Sequence, residues 1–235
     1  MTGITKLLFN GTLLAGAVES IALVEILYSV KRHQEFWKRE STAFGSFSYL
    51  ALGDSTAQGI GSFDPKRGYV YGIKSALEET LGLSVHCMNV SVSGATTKDV
   101  LINQMPNKQD VETYDLVTLG IGGNDVLKTS IDEFERDFTN LLKVLPSHCY
   151  VSNLPYFGGR VRKPSKVEAM NKVIEDSVKG VGCNLVDLYR ITKTMNSVLM
   201  YSADMFHPNA RGYDLWHRAF WTEIRDGLVR HSRAV

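Results

Sequence analysis

The 235 residues hold 44% hydrophobic and 22% charged side chains, and 26 Lys+Arg against 25 Asp+Glu leave a net charge of +1. This is the composition of a globular chain long enough to build a core, and it excludes a disordered tail, a collagen-like repeat and a polytopic membrane protein. No basic stripe marks a nucleic-acid partner, and three widely spaced cysteines (Cys87, Cys149, Cys183) with no C-x-x-C read as buried free thiols, not a disulfide scaffold or zinc site.

The chain opens with an apolar stretch, Leu7 to Val30, followed by basic residues at Lys31-Arg32-His33 and Lys38-Arg39. As a helix this stretch runs about 36 Å, enough to cross a hydrocarbon core of about 30 Å. Glu19 would then sit near the bilayer centre at a cost of roughly 2.5 kcal/mol or more, and Glu25 adds to it. Asn10, Glu19, Ser20, Glu25 and Ser29 scatter around the helical wheel, which argues against a helix lying flat on a membrane. Three readings stay open. Membrane attachment through residues 7–30 is favoured over a helix packed on the main domain or on a second copy, and over a cleaved signal ending near Ala15-Gly16-Ala17. The basic residues that follow lean towards a membrane-associated protein with its catalytic domain in the cytoplasm, an exported form staying open. Residues 1–40 are accordingly read as a hydrophobic leader with a basic linker, and residues 41–235 as one domain.

From Phe47 onward, short apolar runs alternate with longer stretches of helical period, the pattern of βαβ units. The expected strands are Ser48–Leu52, Val85–Val90, Leu116–Ile121, Cys149–Asn153 and Asn184–Leu188. The expected helices are Tyr71–Leu81, Thr97–Gln104, Ile131–Val144, Ser165–Lys179 and Gly212–Arg230. Five strands with helices on both faces make one doubly wound α/β/α domain with a parallel sheet.

Small and polar residues follow the strands in a way that packing does not require. After the first strand stands Gly53-Asp54-Ser55-Thr56, and after the second Asn89 to Thr97 with Gly94 inside it. After the third stands Gly122-Gly123-Asn124-Asp125, and beyond the fifth Asp204-Met205-Phe206-His207-Pro208. In an open α/β sheet all of these converge on the carboxyl edge, where ligands bind. Ser55 lies on a tight glycine-preceded turn that can expose its hydroxyl, but a serine hydroxyl needs a base to become a nucleophile. His207 is the best base among six histidines, and Asp204, three residues earlier, can fix its tautomer. The N–H of Ser55, the N–H of Gly94 and the amide of Asn124 can supply three donors to an oxyanion.

Taken singly each motif is weak: D-x-x-H recurs by chance, and the glycine turns have ordinary readings. There is no P-loop, no G-x-G-x-x-G and no G-x-S-x-G elbow, and no second His or Cys stands at metal-ligand spacing from His207.

Together the four blocks resemble the SGNH (GDSL-type) hydrolase family of esterases and lipases over residues 47–230. Gly53-Asp54-Ser55 matches its first block, Gly94 its second, Gly122-Gly123-Asn124-Asp125 its third and Asp204-Met205-Phe206-His207 its last, with no catalytic position departing from the pattern. The resemblance implies a flavodoxin-like three-layer sandwich with a five-stranded parallel sheet, preceded here by an N-terminal hydrophobic helix. It also implies a two-step acyl transfer on a small-molecule or lipid ester. Ser55 would be nucleophile and oxyanion donor, His207 the base, Asp204 its orienter, and Gly94 and Asn124 the other oxyanion donors, without metal or cofactor. Such activity falls on acidification as His207 takes up a proton. An acyltransferase using the same residues is the alternative, and an idle binding module a remoter one. The loop Leu154–Lys163 could line the acyl pocket, its three basic residues beside an anionic head group, although an ordinary solvated loop is the favoured reading.

Overall fold

Strands that are apolar on both faces must be covered on both sides. The computed structural model describes residues 28–105, 108–157, 161, 163–194 and 198–232. In it the five strands are β1 (Phe47–Gly53), β2 (Val85–Asn89), β3 (Leu116–Gly120), β4 (Tyr150–Ser152) and β5 (Asn184–Val186). All neighbours pair in parallel, in the order β2-β1-β3-β4-β5. This is the expected flavodoxin-like order, with the chain reversing direction across the sheet between β1 and β3.

The helices are α1 (28–40), α2 (Ser55–Gln58), α3 (Tyr69–Leu81), α4 (Thr97–Asp99), α5 (Lys108–Val111), α6 (Asp125–Lys128), α7 (Ile131–Leu142), α8 (Pro164–Val181), α9 (Leu188–Thr194) and α10 (Ala210–Ser232). Local chemistry sets several ends. Ser130 and Glu133 form a reciprocal capping box that starts α7, Pro164 occupies the first turn of α8, and Gly82 and Gly182 close α3 and α8 in the left-handed conformation. The longer expected helices are present with ends shifted by one to two residues. The exception is Thr97–Gln104, which makes one α-turn to Asp99 and then a wider turn over Val100–Gln104.

Alternation along β1 splits the interior in two. Leu50 and Leu52 face Phe134, Phe138, Leu141, Met170 and Ile174 of α7 and α8. Tyr49 and Ala51 face Tyr69, Ile73, Tyr213, Trp216 and Phe220 of α3 and α10. The second core also takes in α1: Trp37 is 3% exposed and His33 fully buried, and both rings donate to the carbonyl of Gln58. The basic stretch read as a linker is therefore a packed helix. The apolar segment expected to meet a membrane falls outside the described residues up to position 27, and its last three residues open α1. No helix among the described residues is long and apolar enough to cross a membrane. Cys87 and Cys149 are buried and Cys183 partly so, all as free thiols, and burial pushes the Cys183 thiol up to about 11.

Candidate active site

β1 ends at the reversal point of the sheet, so whatever follows Gly53 stands at the open carboxyl edge. Asp54 caps α2 by accepting from the N–H and the hydroxyl of Thr56 at 2.9 and 2.8 Å, which turns the chain sharply and puts Ser55 at the first helical position. The Ser55 hydroxyl donates to Nε2 of His207 at 2.9 Å. Nδ1 of His207 donates in turn to Oδ2 of Asp204 at 2.5 Å. With the imidazole neutral, this pattern fixes its proton on Nδ1 and leaves Nε2 free to accept.

The loop that holds His207 is organised around Asp204. Its Oδ1 accepts from the Ser202 hydroxyl at 2.6 Å and from the N–H groups of Phe206 and His207, each at 3.0 Å. Burial works against this carboxylate, but the hydrogen bonds from His207, Ser202 and Phe206 outweigh it and hold Asp204 well below the usual range. Met205 sits at φ +56°, the left-handed region, and is the sole non-glycine there among the described residues. Strain of this kind persists where surrounding bonds over-determine the backbone. The loop closes through the Ser202 N–H, which donates to the His207 carbonyl at 2.9 Å.

Asn124 links the segments that carry the other two expected oxyanion donors. The amide of Asn124 donates to the Ala95 carbonyl at 3.0 Å and, at a long 3.4 Å, to Oδ2 of Asp54. It thus bridges the residue after Gly94 and the residue before Ser55. Its second hydrogen is held only by the long contact and is free to turn to a better acceptor. No acceptor among the described residues takes the N–H of Ser55 or of Gly94. At Gly94 a β-carbon would meet only the Lys128 ammonium, 3.9 Å away, so space does not dictate glycine there. Its φ of +82° does. Lys128 donates to the Gly94 carbonyl at 2.7 Å and fixes the peptide plane.

Sequence reading did not assign the bracing contacts around these groups. Gln104 is buried and brackets Gly53, accepting from its N–H at 3.0 Å and donating to its carbonyl at 2.7 Å. Gln58 ties α2 to the loop bearing Gly94 by donating to the Ser91 carbonyl and accepting from the Ser93 hydroxyl. Asp125 accepts from the N–H and hydroxyl of Thr97, joining α6 to α4. Lys166 donates to the carbonyls of Asp125, Val126 and Thr129 and so fixes the end of α6. Polar amides at apolar helical positions were the one available signal, and it does not name a partner.

A narrow cleft beside Asp54 and Gly123 is walled by Leu154, Phe157, Phe206 and Trp216. Phe157 stacks on Phe206 with ring centroids 5.6 Å apart. The start of the loop after β4 thus lines an apolar cleft, whereas its expected basic residues Arg160 and Arg162 lie outside the described residues and Lys163 is exposed.

Residues 51–215 match the model of the GDSL-like Lipase/Acylhydrolase family. The chain is 25% identical over 203 residues to the spore germination lipase LipC of Bacillus licheniformis, covering 72% of this chain and 92% of that protein. Its fold is shared with a lipase/acylhydrolase from Enterococcus faecalis (TM-score 0.65, 22% identity, covering 77% of this chain and 96% of that one). It is shared also with TesA (TM-score 0.64, 22% identity, 76% and 98%) and with Axe2, an acetylxylan esterase from Geobacillus stearothermophilus (TM-score 0.62, 21% identity, 76% and 94%).

Proposed function

Because the chain belongs to the GDSL-like lipase/acylhydrolase family, and is on that ground a carboxylic ester hydrolase, we propose that Ser55, His207 and Asp204 break the ester by two-step acyl transfer. The observation that carries this reading is the unbroken hydrogen-bond chain from the Ser55 hydroxyl through His207 to Asp204. Ser55 Oγ attacks the ester carbonyl carbon while its proton passes to Nε2 of His207. Asp204, held ionised, stabilises the imidazolium through Nδ1. The carbonyl oxygen becomes an oxyanion, met by the N–H groups of Ser55 and Gly94 and the amide of Asn124. When the carbon–oxygen bond to the alcohol breaks, His207 returns the proton to the departing oxygen. Water then repeats the sequence on the acyl-enzyme and releases the acid.

The apolar cleft lined by Phe157 and Phe206 suits the acyl half. Hydrolysis of p-nitrophenyl esters from acetyl to palmitoyl tests the reading. The wild type is expected to turn over part of the series, with a chain-length optimum that sizes the cleft. Ser55→Ala is expected to lose about 10³-fold or more in kcat while its circular dichroism spectrum stays unchanged. A folded Ser55→Ala that retains the rate would remove Ser55 from the chemistry. An acylated acceptor in place of free acid would turn the same residues into a transferase.

A further inference from the structure

A second concavity, an open groove, runs between α1 and the loop carrying His207. Tyr28 and Arg32 line it from α1, Gly61 and Phe63 from the segment after α2, and Ser202 and Asn209 from the catalytic loop. Bare backbone separates the groove from the base: a β-carbon on Gly61 would lie 2.6 Å from that of His207. Ser202 is the residue whose hydroxyl holds Asp204.

Most polar side chains around the groove are already spent on the protein. The Ser62 hydroxyl donates to the carbonyls of Gly59 and Asp64, and the Asn209 amide to those of Leu199 and Tyr201. Arg32 is different. Its guanidinium lies over the ring of Phe63, 4.6 Å from the centroid, and Phe63 is otherwise 87% exposed. Its Nε is buried and has no hydrogen-bond partner among the described residues. No carboxylate among them forms an ion pair with it. Two carboxylates on the segments that line the groove are engaged elsewhere, Asp64 by the Lys66 N–H and Asp204 by Ser202, Phe206 and His207. A half-buried guanidinium braced on an aromatic face, with no carboxylate partner among the described residues, is a fork suited to a planar or tetrahedral oxyanion.

We propose that this groove receives the alcohol half of the ester and that Arg32 selects alcohols carrying an anionic oxygen group. The inference rests on the esterase reading, because it is His207 that must hand a proton to the departing alcohol oxygen, and the groove adjoins that residue. It makes Arg32 a specificity-determining residue and leaves the acyl half to the cleft by Phe157.

Two matched pairs of butyrate esters in the full-length chain test it: those of glycerol 3-phosphate and glycerol, and those of 4-hydroxybenzoate and phenol. The wild type is expected to favour the charged member by on the order of tenfold in kcat/KM, expressed in KM. Arg32→Ala is expected to bring the charged-to-neutral ratio to near one, and Arg32→Lys to retain part of it. A preference confined to one pair supports the site and identifies its oxyanion as phosphate or carboxylate. Ratios near one in the wild type, or a ratio that survives in Arg32→Ala, overturn it; a purely structural Arg32 would lower both members alike and leave the ratio standing. Should no ester of either kind turn over, the esterase reading falls, and calorimetric binding of glycerol 3-phosphate and 4-hydroxybenzoate decides the groove separately. Binding weakened about tenfold by Arg32→Ala supports it, and no binding of either compound overturns it.

Discussion

Three buried or half-buried carboxylates lie within the site, and their surroundings drive them apart. Asp204 is held low by the donors around it, whereas Asp54 is raised by burial despite its two bonds from Thr56. Asp125, 1% exposed, is pushed up to about 6 by burial, with the Thr97 bonds opposing and the nearby Asp54 charge adding to it. A carboxyl whose folded pKa exceeds its unfolded one binds more protons when folded. Its contribution to stability therefore falls as pH rises through the window from about 4 to about 6. Asp125→Asn keeps an acceptor for Thr97 and removes the titration. Urea denaturation of both proteins is expected to show the variant gaining on the wild type by roughly 2 kcal/mol between pH 4 and pH 7. Asp204 acts in the opposite sense, but equally in both proteins, and cancels in the difference. Parallel curves would mean that Asp125 does not titrate in that range.

At the scale of elements, the site depends on short pieces that periodicity does not reveal. The expected helix Thr97–Gln104 ends its α-turns at Asp99, and the wider turn that follows brings the buried Gln104 to the end of β1. There Gln104 accepts the Gly53 N–H and shares the Gly53 carbonyl with the Val92 N–H from the segment after β2. Replacing it by Leu leaves the Gly53 N–H buried and unpaired, at an expected cost of about 1–3 kcal/mol. Because Ser55 is two residues further on, kcat should fall as well. Chemical denaturation and p-nitrophenyl ester kinetics on Gln104→Leu read the two effects, and an unchanged kcat would show that the turn bearing Ser55 holds itself. The strands and long helices were legible because burial on one or both faces leaves a period in the sequence. The π-type turn and the helices α2, α5, α6 and α9 were not, since four to seven residues carry too little periodicity to stand out.

Over the whole molecule, the sheet separates two cores, and α1 belongs to the one that supports α2 from beneath. Trp37 contributes its ring to that core and its indole N–H to the Gln58 carbonyl at 3.0 Å. Trp37→Ala is expected to cost about 3–5 kcal/mol in urea denaturation of the full chain. A loss below about 1 kcal/mol would make α1 a loosely attached appendage. The sequence alone determined the α/β class and the five strands, and it singled out Ser55, Gly94, Asn124, Asp204 and His207 as the candidate site. It could do so because strand burial is periodic and because chemistry at a sheet edge demands particular residue types just beyond each strand. Only the tertiary structure decided that the basic stretch after the apolar leader is a core helix, that Gln104 and Gln58 brace the turn bearing Ser55, and that Arg32, whose Nε has no hydrogen-bond partner among the described residues, lines the groove next to the loop carrying His207. These depend on which residues distant in the chain meet in space, and a partner's identity leaves no period in either segment.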